Sequence, residues 1–202
     1  MKQKLLSRLV TGLLLTGMIG MANAAFIVDT GSTGPSLTGT SLDSGQWIAG
    51  GFSVAGNTTI TDLEGYMWGQ GQVSSLTGVI YSGGGAIPGS ELYSSQFSVN
   101  GSADDWYGAH NLNWSLTAGT YWAAFEVRTG DTYNGAMPNS AINPLGIDAF
   151  WDGVAWNPDG GLGFGMRITA SPTANPVPIP ATAWLLGSGL LSLIGVARRK
   201  TA

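Results

Sequence analysis

Cysteine is absent from these 202 residues, histidine occurs once, and only 10% of the side chains are charged. No disulfide, nucleophilic thiolate or Cys-ligated metal can therefore form. The lone His110 would leave carboxylates to complete any zinc site, and these suit Zn²⁺ poorly. No Gly-x-Ser-x-Gly segment accompanies it, so a nucleophile-elbow hydrolase has no support and His110 reads as a structural or loop residue. The 32 glycines never fall between a strand and a helix with a following Lys, so they serve turns and not a phosphate cradle.

Cations are scarce between the two ends. All 12 Asp and Glu lie from Asp29 to Asp159, and Arg128 and Arg167 are the only basic residues between Ala25 and Pro176, giving that exported stretch a formal charge of −10. Such a surface repels phosphate backbones and anionic lipid, which excludes nucleic acid as a partner; it is compatible with divalent cations or neutral glycans.

The ends carry what the middle lacks. Lys2, Lys4 and Arg8 precede apolar Leu9 to Gly20 and then Ala22-Asn23-Ala24, the pattern of a secretory signal peptide over residues 1–24. The expected partners there are the export machinery and a signal peptidase, leaving Ala25 first. At the other end, Pro178-Ile179-Pro180 precedes an apolar run from Ala181 to Ala197 and then Arg198-Arg199-Lys200. As a helix that run rises roughly 25 Å, enough to cross a bilayer core with some thinning. The basic triplet predicts a cytoplasmic C-terminus, with Ala25 to about Pro176 outside.

The segments Val177-Pro178-Ile179-Pro180-Ala181-Thr182, Trp184 to Leu191 and Gly195 to Lys200 together resemble the PEP-CTERM sorting signal of Gram-negative bacteria, with Ile179 where the family motif has Glu. The resemblance implies a substrate of an exosortase, a membrane-embedded transpeptidase-like enzyme, and an association with exopolysaccharide and biofilm. It further implies a protein exported from the cell, transiently or stably membrane-anchored, and then held at the cell surface or in the extracellular matrix. Ile80-Tyr81-Ser82-Gly83, Ile87 to Tyr93 and Asn113 to Trp122 resemble the central segment of secreted proteins of this kind, whose exported domains are jelly-roll-like sandwiches.

Residues 25–170 have the size of one domain. Residues 171–177, with Pro172 and Pro176, read as a stiff linker, and residues 178–202 as the sorting and anchor segment. Short Val, Ile, Thr and aromatic runs punctuated by Gly, Asn, Asp and Ser predict an all-β fold, an antiparallel two-sheet β-sandwich of jelly-roll type. Eight or nine strands are expected, at Gln46 to Val54, Ile60 to Trp68, Leu76 to Ser82, Glu91 to Val99, Asn111 to Leu116, Thr120 to Arg128, Leu162 to Ile168, and Ala149 to Trp156 broken by an Asp152-Gly153 turn. Along Thr120 to Arg128, alternation puts Tyr121, Ala123, Phe125 and Val127 on the core face and Trp122, Ala124, Glu126 and Arg128 on the other. Gly163 and Gly165 leave one side of the last strand bare for a Trp or a ligand. Ser82 to Gly89 reads as a long connection between two outer strands.

Seven Trp lie outside the tail. Trp114 shares a face with Leu112 and Leu116 and reads as core, whereas Trp106 and Trp122 are the candidates for an exposed platform that stacks on sugar rings. Asp148, Asp152, Asn157 and Asp159 offer oxygen ligands for a structural Ca²⁺, although Asp and Asn before Gly also make turns unaided. Adjacent Asp104 and Asp105 point to opposite faces if they lie on a strand, and read as solvated loop. Beyond such a Ca²⁺ no cofactor is expected. The expected function is a non-catalytic binding or structural role, with carbohydrate, such as exopolysaccharide, as the ligand. The alternative is a glycoside hydrolase or lyase acting on polysaccharide, which would require two of Glu64, Glu91 and Glu126 to face one groove about 5–9 Å apart.

Overall fold

The computed structural model describes residues 25–32, 39–139 and 146–172. The expected signal peptide with its cleavage site at Ala22 and Ala24, the motif at 177–180, the expected tail helix and the triplet 198–200 all lie outside the described residues. Within them run β1 (Ala25–Asp29), β2 (Gly39–Leu42), β3 (Trp47–Val54), β4 (Thr58–Met67), β5 (Ser74–Gly83), β6 (Pro88–Val99), β7 (Asp105–Ala109), β8 (Trp114–Leu116), β9 (Gly119–Glu126), β10 (Gly135–Pro138), β11 (Asp148–Trp151), β12 (Trp156–Asp159) and β13 (Met166–Pro172). Among the described residues there is no helix.

One sheet has the order β1-β13-β4-β7, with β8 also paired to β4; a six-stranded sheet runs β12-β11-β3-β9-β5-β6; β2 and β10 form a separate pair. Every pairing is antiparallel. The fold is therefore all-β, as the Gly-punctuated pattern predicts. Its layers meet in one apolar cluster, where Ile60, Leu63 and Met67 of β4 and Met166 and Ile168 of β13 join Ile48, Phe52, Leu76, Ile80 and Phe125 of the six-stranded sheet. Trp114 and Leu116 belong to this core and Leu112 packs against it, in line with their shared face.

Several elements differ from the sequence pattern. Residues Ser82 to Gly89 do not form a long connection: β5 and β6 pair directly, with Gly83 opposite Pro88, so the glycines close a hairpin. The final strand begins at Met166 and not at Leu162, and it runs into the expected linker, where Ser171 pairs with Thr59 and Pro172 with Thr58. The bareness of Gly165 is explained by its neighbours. A Cβ there would stand 2.5 Å from Cβ of Tyr66 and 3.5 Å from the Trp106 ring.

Gly108 is the tightest point between β4 and β7. A methyl group would overlap the Leu63 carbonyl oxygen and stand 2.6 Å from Cα of Glu64. Both are backbone atoms, so no rotamer change relieves the clash. Gly108→Ala is expected to destabilise the protein by about 2–3 kcal/mol, which calorimetry would register as a melting temperature lower by roughly 5–10 °C.

Candidate functional site

The outer face of the six-stranded sheet carries a row of indoles and a network of charged groups. Trp47 opens β3 and stands opposite Trp151, the last residue of β11, which in turn stands opposite Trp156, the first of β12. The three form a cross-strand row, a position where side chains of neighbouring strands interact directly. Trp47 and Trp151 stack with centroids 5.0 Å apart and planes 13° from parallel. Trp156 lies edge-on to Trp151 at 6.0 Å and reaches Tyr81 of β5 at 6.0 Å. All three indoles are partly exposed.

Trp156 can reach so far across the sheet because the residues between are small. Ala149, Ala49 and Ala124 are register neighbours on β11, β3 and β9, followed by Val79 on β5, and all four are fully buried. Together with Tyr81 and Trp122 they form a second apolar cluster, against which Trp156 and Ile87 pack. The turn between β11 and β12 holds the indole in place. Asp152 Oδ1 accepts from the backbone N–H of Val154 and Ala155, and its Oδ2 from Asn157 Nδ2. Those backbone bonds hold the Asp152 carboxyl below its usual range. Gly153 takes a φ of 89°, as expected for an Asp-Gly turn.

Beside the indoles lies an ionic network. Glu126 is fully buried; its Oε1 accepts from the Tyr81 hydroxyl at 2.5 Å and its Oε2 from Arg128 Nε at 2.7 Å. Arg128 also donates from Nη2 and Nη1 to the two Glu91 oxygens, at 2.7 and 3.4 Å. Burial pushes the Glu126 carboxyl up, against the pull of Tyr81 and Arg128. The Arg128 bond holds Glu91 below its usual range. Burial, reinforced by the bond to Glu126, drives the Tyr81 phenol well above the ordinary range. For Arg128, burial opposes the charge, yet the two carboxylates outweigh it and keep the guanidinium more firmly protonated than a free one. Asp131 extends the network by accepting from the Thr77 hydroxyl, Gln96 Nε2 and the Arg128 backbone N–H.

The two tryptophans expected to form a platform lie in different sheets. Trp122 is only 1% exposed, because the face away from the main core is itself covered, by Trp156 and Ile87. The alternation along β9 is as expected; the assumption that its second face is open is what fails. Trp106, on β7, is partly buried: the Arg167 guanidinium lies 3.9 Å from its ring centroid, and Tyr66 meets it edge-on at 5.5 Å. Arg167 also bonds Asp29 at 3.0 Å and lies 5.4 Å from the Phe26 ring, so Trp106 is engaged in pinning β1.

The four residues considered for Ca²⁺ split between the two ends of one hairpin. Asp148 pairs with Asp159 at the open end, while Asp152 lies in the turn, roughly 13 Å away by strand rise, and Asn157, opposite Phe150 on β12, turns its amide to Asp152. Asp159 Oδ1 accepts from the N–H of Gly160 and Gly161, and Asp148 Oδ2 from that of Leu162. Among the described residues no group of three or more His, Asp and Glu converges in a metal-binding arrangement. Asp104 and Asp105 are exposed, and Asp105 opens β7 by accepting from the Trp106 N–H. His110 is half exposed on the other sheet, with Nδ1 3.0 Å from Asp62 and Nε2 4.0 Å from Glu64.

Of the three glutamates, Glu91 and Glu126 converge, but on the same guanidinium. The Trp47, Trp151 and Trp156 row is absent from the sequence expectation. Only part of it was signalled: the Asp-Gly pair marks a hairpin, but a two-residue turn at Asp152-Gly153 would set Trp151 opposite Val154, whereas the bond from the Asp152 N–H to the Ala155 carbonyl brings Trp151 opposite Trp156. The alignment with Trp47 depends on β3 joining β11, which local pattern does not reveal. No protein-family model matches the chain, and no curated protein matches it either.

Proposed function

We propose that this chain is an exported protein of the cell surface or extracellular matrix whose domain binds carbohydrate non-catalytically on the outer face of its six-stranded sheet. The observation that carries the proposal is the row of three partly exposed indoles, Trp47, Trp151 and Trp156, with the Arg128 and Glu91 fork beside it. Indole faces stack on the apolar faces of sugar rings, while the neighbouring carboxylates, amide and guanidinium can meet hydroxyl groups. The jelly-roll reading of the fold is supported by strand order, with β1-β13-β4-β7 in one sheet and β3-β9-β5-β6 in the other, the pattern of two interlocked Greek keys, to which β11 and β12 are added. The polysaccharide-cleaving alternative has weaker support: Glu126 is fully buried and both carboxylates are engaged by Arg128, so neither is free to act as acid or base.

The binding proposal is tested at Trp151. Trp151→Ala removes the central indole at a partly exposed position and is expected to weaken glycan affinity by about tenfold or more, equivalent to at least about 1.4 kcal/mol, while the far-ultraviolet circular dichroism spectrum is retained. Unchanged affinity for a glycan that the unmodified protein binds would remove the row from the site.

Sorting through a PEP-CTERM-like tail handled by an exosortase is supported by the motif at 177–180, the apolar run and the basic triplet. Intact-mass measurement on protein from the producing cells is expected to give a species that begins at Ala25 and ends near Pro180. A species that retains Arg198-Arg199-Lys200 and stays with membranes would instead indicate a permanent anchor.

A further inference from the structure

We infer that the glycan taken by the Trp47, Trp151 and Trp156 row is neutral and hydroxyl-rich, free of uronate, sulfate and phosphate; this rests on the carbohydrate-binding function proposed above. Charge accounting on the face carries the inference. The charged groups on this side are Glu91, Glu126, Asp131 and, in the turn between Trp151 and Trp156, Asp152 on the negative side, with Arg128 alone on the positive. Arg128 is held on two edges of its guanidinium, by Glu126 at Nε and by Glu91 at Nη1 and Nη2, so its charge is more than neutralised where it stands. Asp131 adds a further negative charge one bond away, through the Arg128 backbone N–H.

Among the described residues no second cation is within reach. Arg167 is the only other Lys or Arg between Ala25 and Pro172, and it sits in the opposite sheet, between the Trp106 and Phe26 rings and bonded to Asp29. His110 also belongs to that side, beside Asp62 and Glu64. An anionic sugar would therefore meet like charge on the face and a domain of formal charge −10 behind it. The negative faces of the indole π systems add to that repulsion. A neutral sugar meets favourable groups instead. Glu91 Oε1, which meets Arg128 at the longer distance of 3.4 Å, can accept from a hydroxyl, and exposed Ser94, Gln96 and Ser98 extend the polar surface along β6. The strands from Trp47 to Gln96 span about 14 Å at about 4.8 Å per strand, a length suited to an oligosaccharide segment.

Affinity electrophoresis of the full-length protein, from cells that export it, separates the possibilities. Gels contain a soluble neutral β-glucan, a neutral galactomannan, a polyuronate or dextran sulfate, each at low and at high NaCl, with Trp151→Ala run alongside. Retardation by at least one neutral polymer is expected, abolished by Trp151→Ala and changed by less than about twofold between the two salts, because no ion pair with the ligand is made. Retardation by the polyuronate or the sulfated polymer, whether stronger at low salt or dependent on added Ca²⁺, would overturn the neutral-ligand inference and leave carbohydrate binding in place. Retardation by none of the four would overturn both.

Discussion

Replacing Arg128 with methionine is expected to lower stability by about 3 kcal/mol near neutral pH, a fall of roughly 10 °C in melting temperature. The methionine keeps much of the aliphatic volume but leaves Glu126, which has no exposed surface, as a buried carboxylate supported only by Tyr81. About 3 kcal/mol is the lower end of the cost of breaking a buried pair, chosen because Arg128 itself keeps 30% of its side-chain surface. Two comparisons separate lost charge from lost packing. Burial raises the Glu126 carboxyl, so the folded state binds that proton more tightly than the unfolded chain, and the associated stability is present at acidic pH and lost as pH rises through the folded value. The deficit of Arg128→Met should therefore shrink on going from about pH 7 to about pH 5. Combining it with Glu126→Gln should recover more than half of the loss, since a neutral amide costs less to bury alone. A deficit independent of pH and of Glu126 would assign the loss to packing.

Trp122→Ala is expected to cost about 3–5 kcal/mol, enough to lower the melting temperature by roughly 10–15 °C, with expression falling accordingly. The indole is 1% exposed and lies among Ala49, Val79, Tyr81 and Ala124, so its removal leaves a cavity that the short alanine side chains cannot fill. An indole on an open platform would behave differently, costing well under about 1 kcal/mol of stability and affecting only ligand affinity. Calorimetry on Trp122→Ala beside Trp151→Ala thus tells a buried indole from an exposed one in the same sheet.

What the sequence made legible follows the reach of its signals. Alternation on β9 identified both of its faces, and the Asp152-Gly153 pair identified the β11–β12 hairpin, because both signals are local. The core role of Trp114 was readable for the same reason. Strands β1, β2, β7 and β10 escaped notice because four or five residues hold too few alternating positions to register. The covering of Trp122 was not readable at all. It depends on β12 lying two strands beyond β3, so that an indole 34 positions later in the chain folds over the alanine row. Likewise, nothing in the spacing of Glu91, Glu126 and Arg128 announces that β6 and β9 flank β5 and bring all three together.

The position of β13 has a consequence for the order in which the molecule can be assembled. The last strand of the domain lies between β1 and β4, with Ala25 opposite Ala170 and Thr58 opposite Pro172. A chain that crosses a membrane with its N-terminus leading would deliver β1 and β4 early, yet these strands share no hydrogen bonds: β4 can pair with β7 and β8, but β1 waits for its partner more than 100 residues behind. Closing so long a loop is slow, so in such a crossing the β1 edge of the sheet would stay open until β13 had followed. The same arrangement puts the two ends of the domain side by side, and any tether leaving β13 departs from the sheet opposite the indole row.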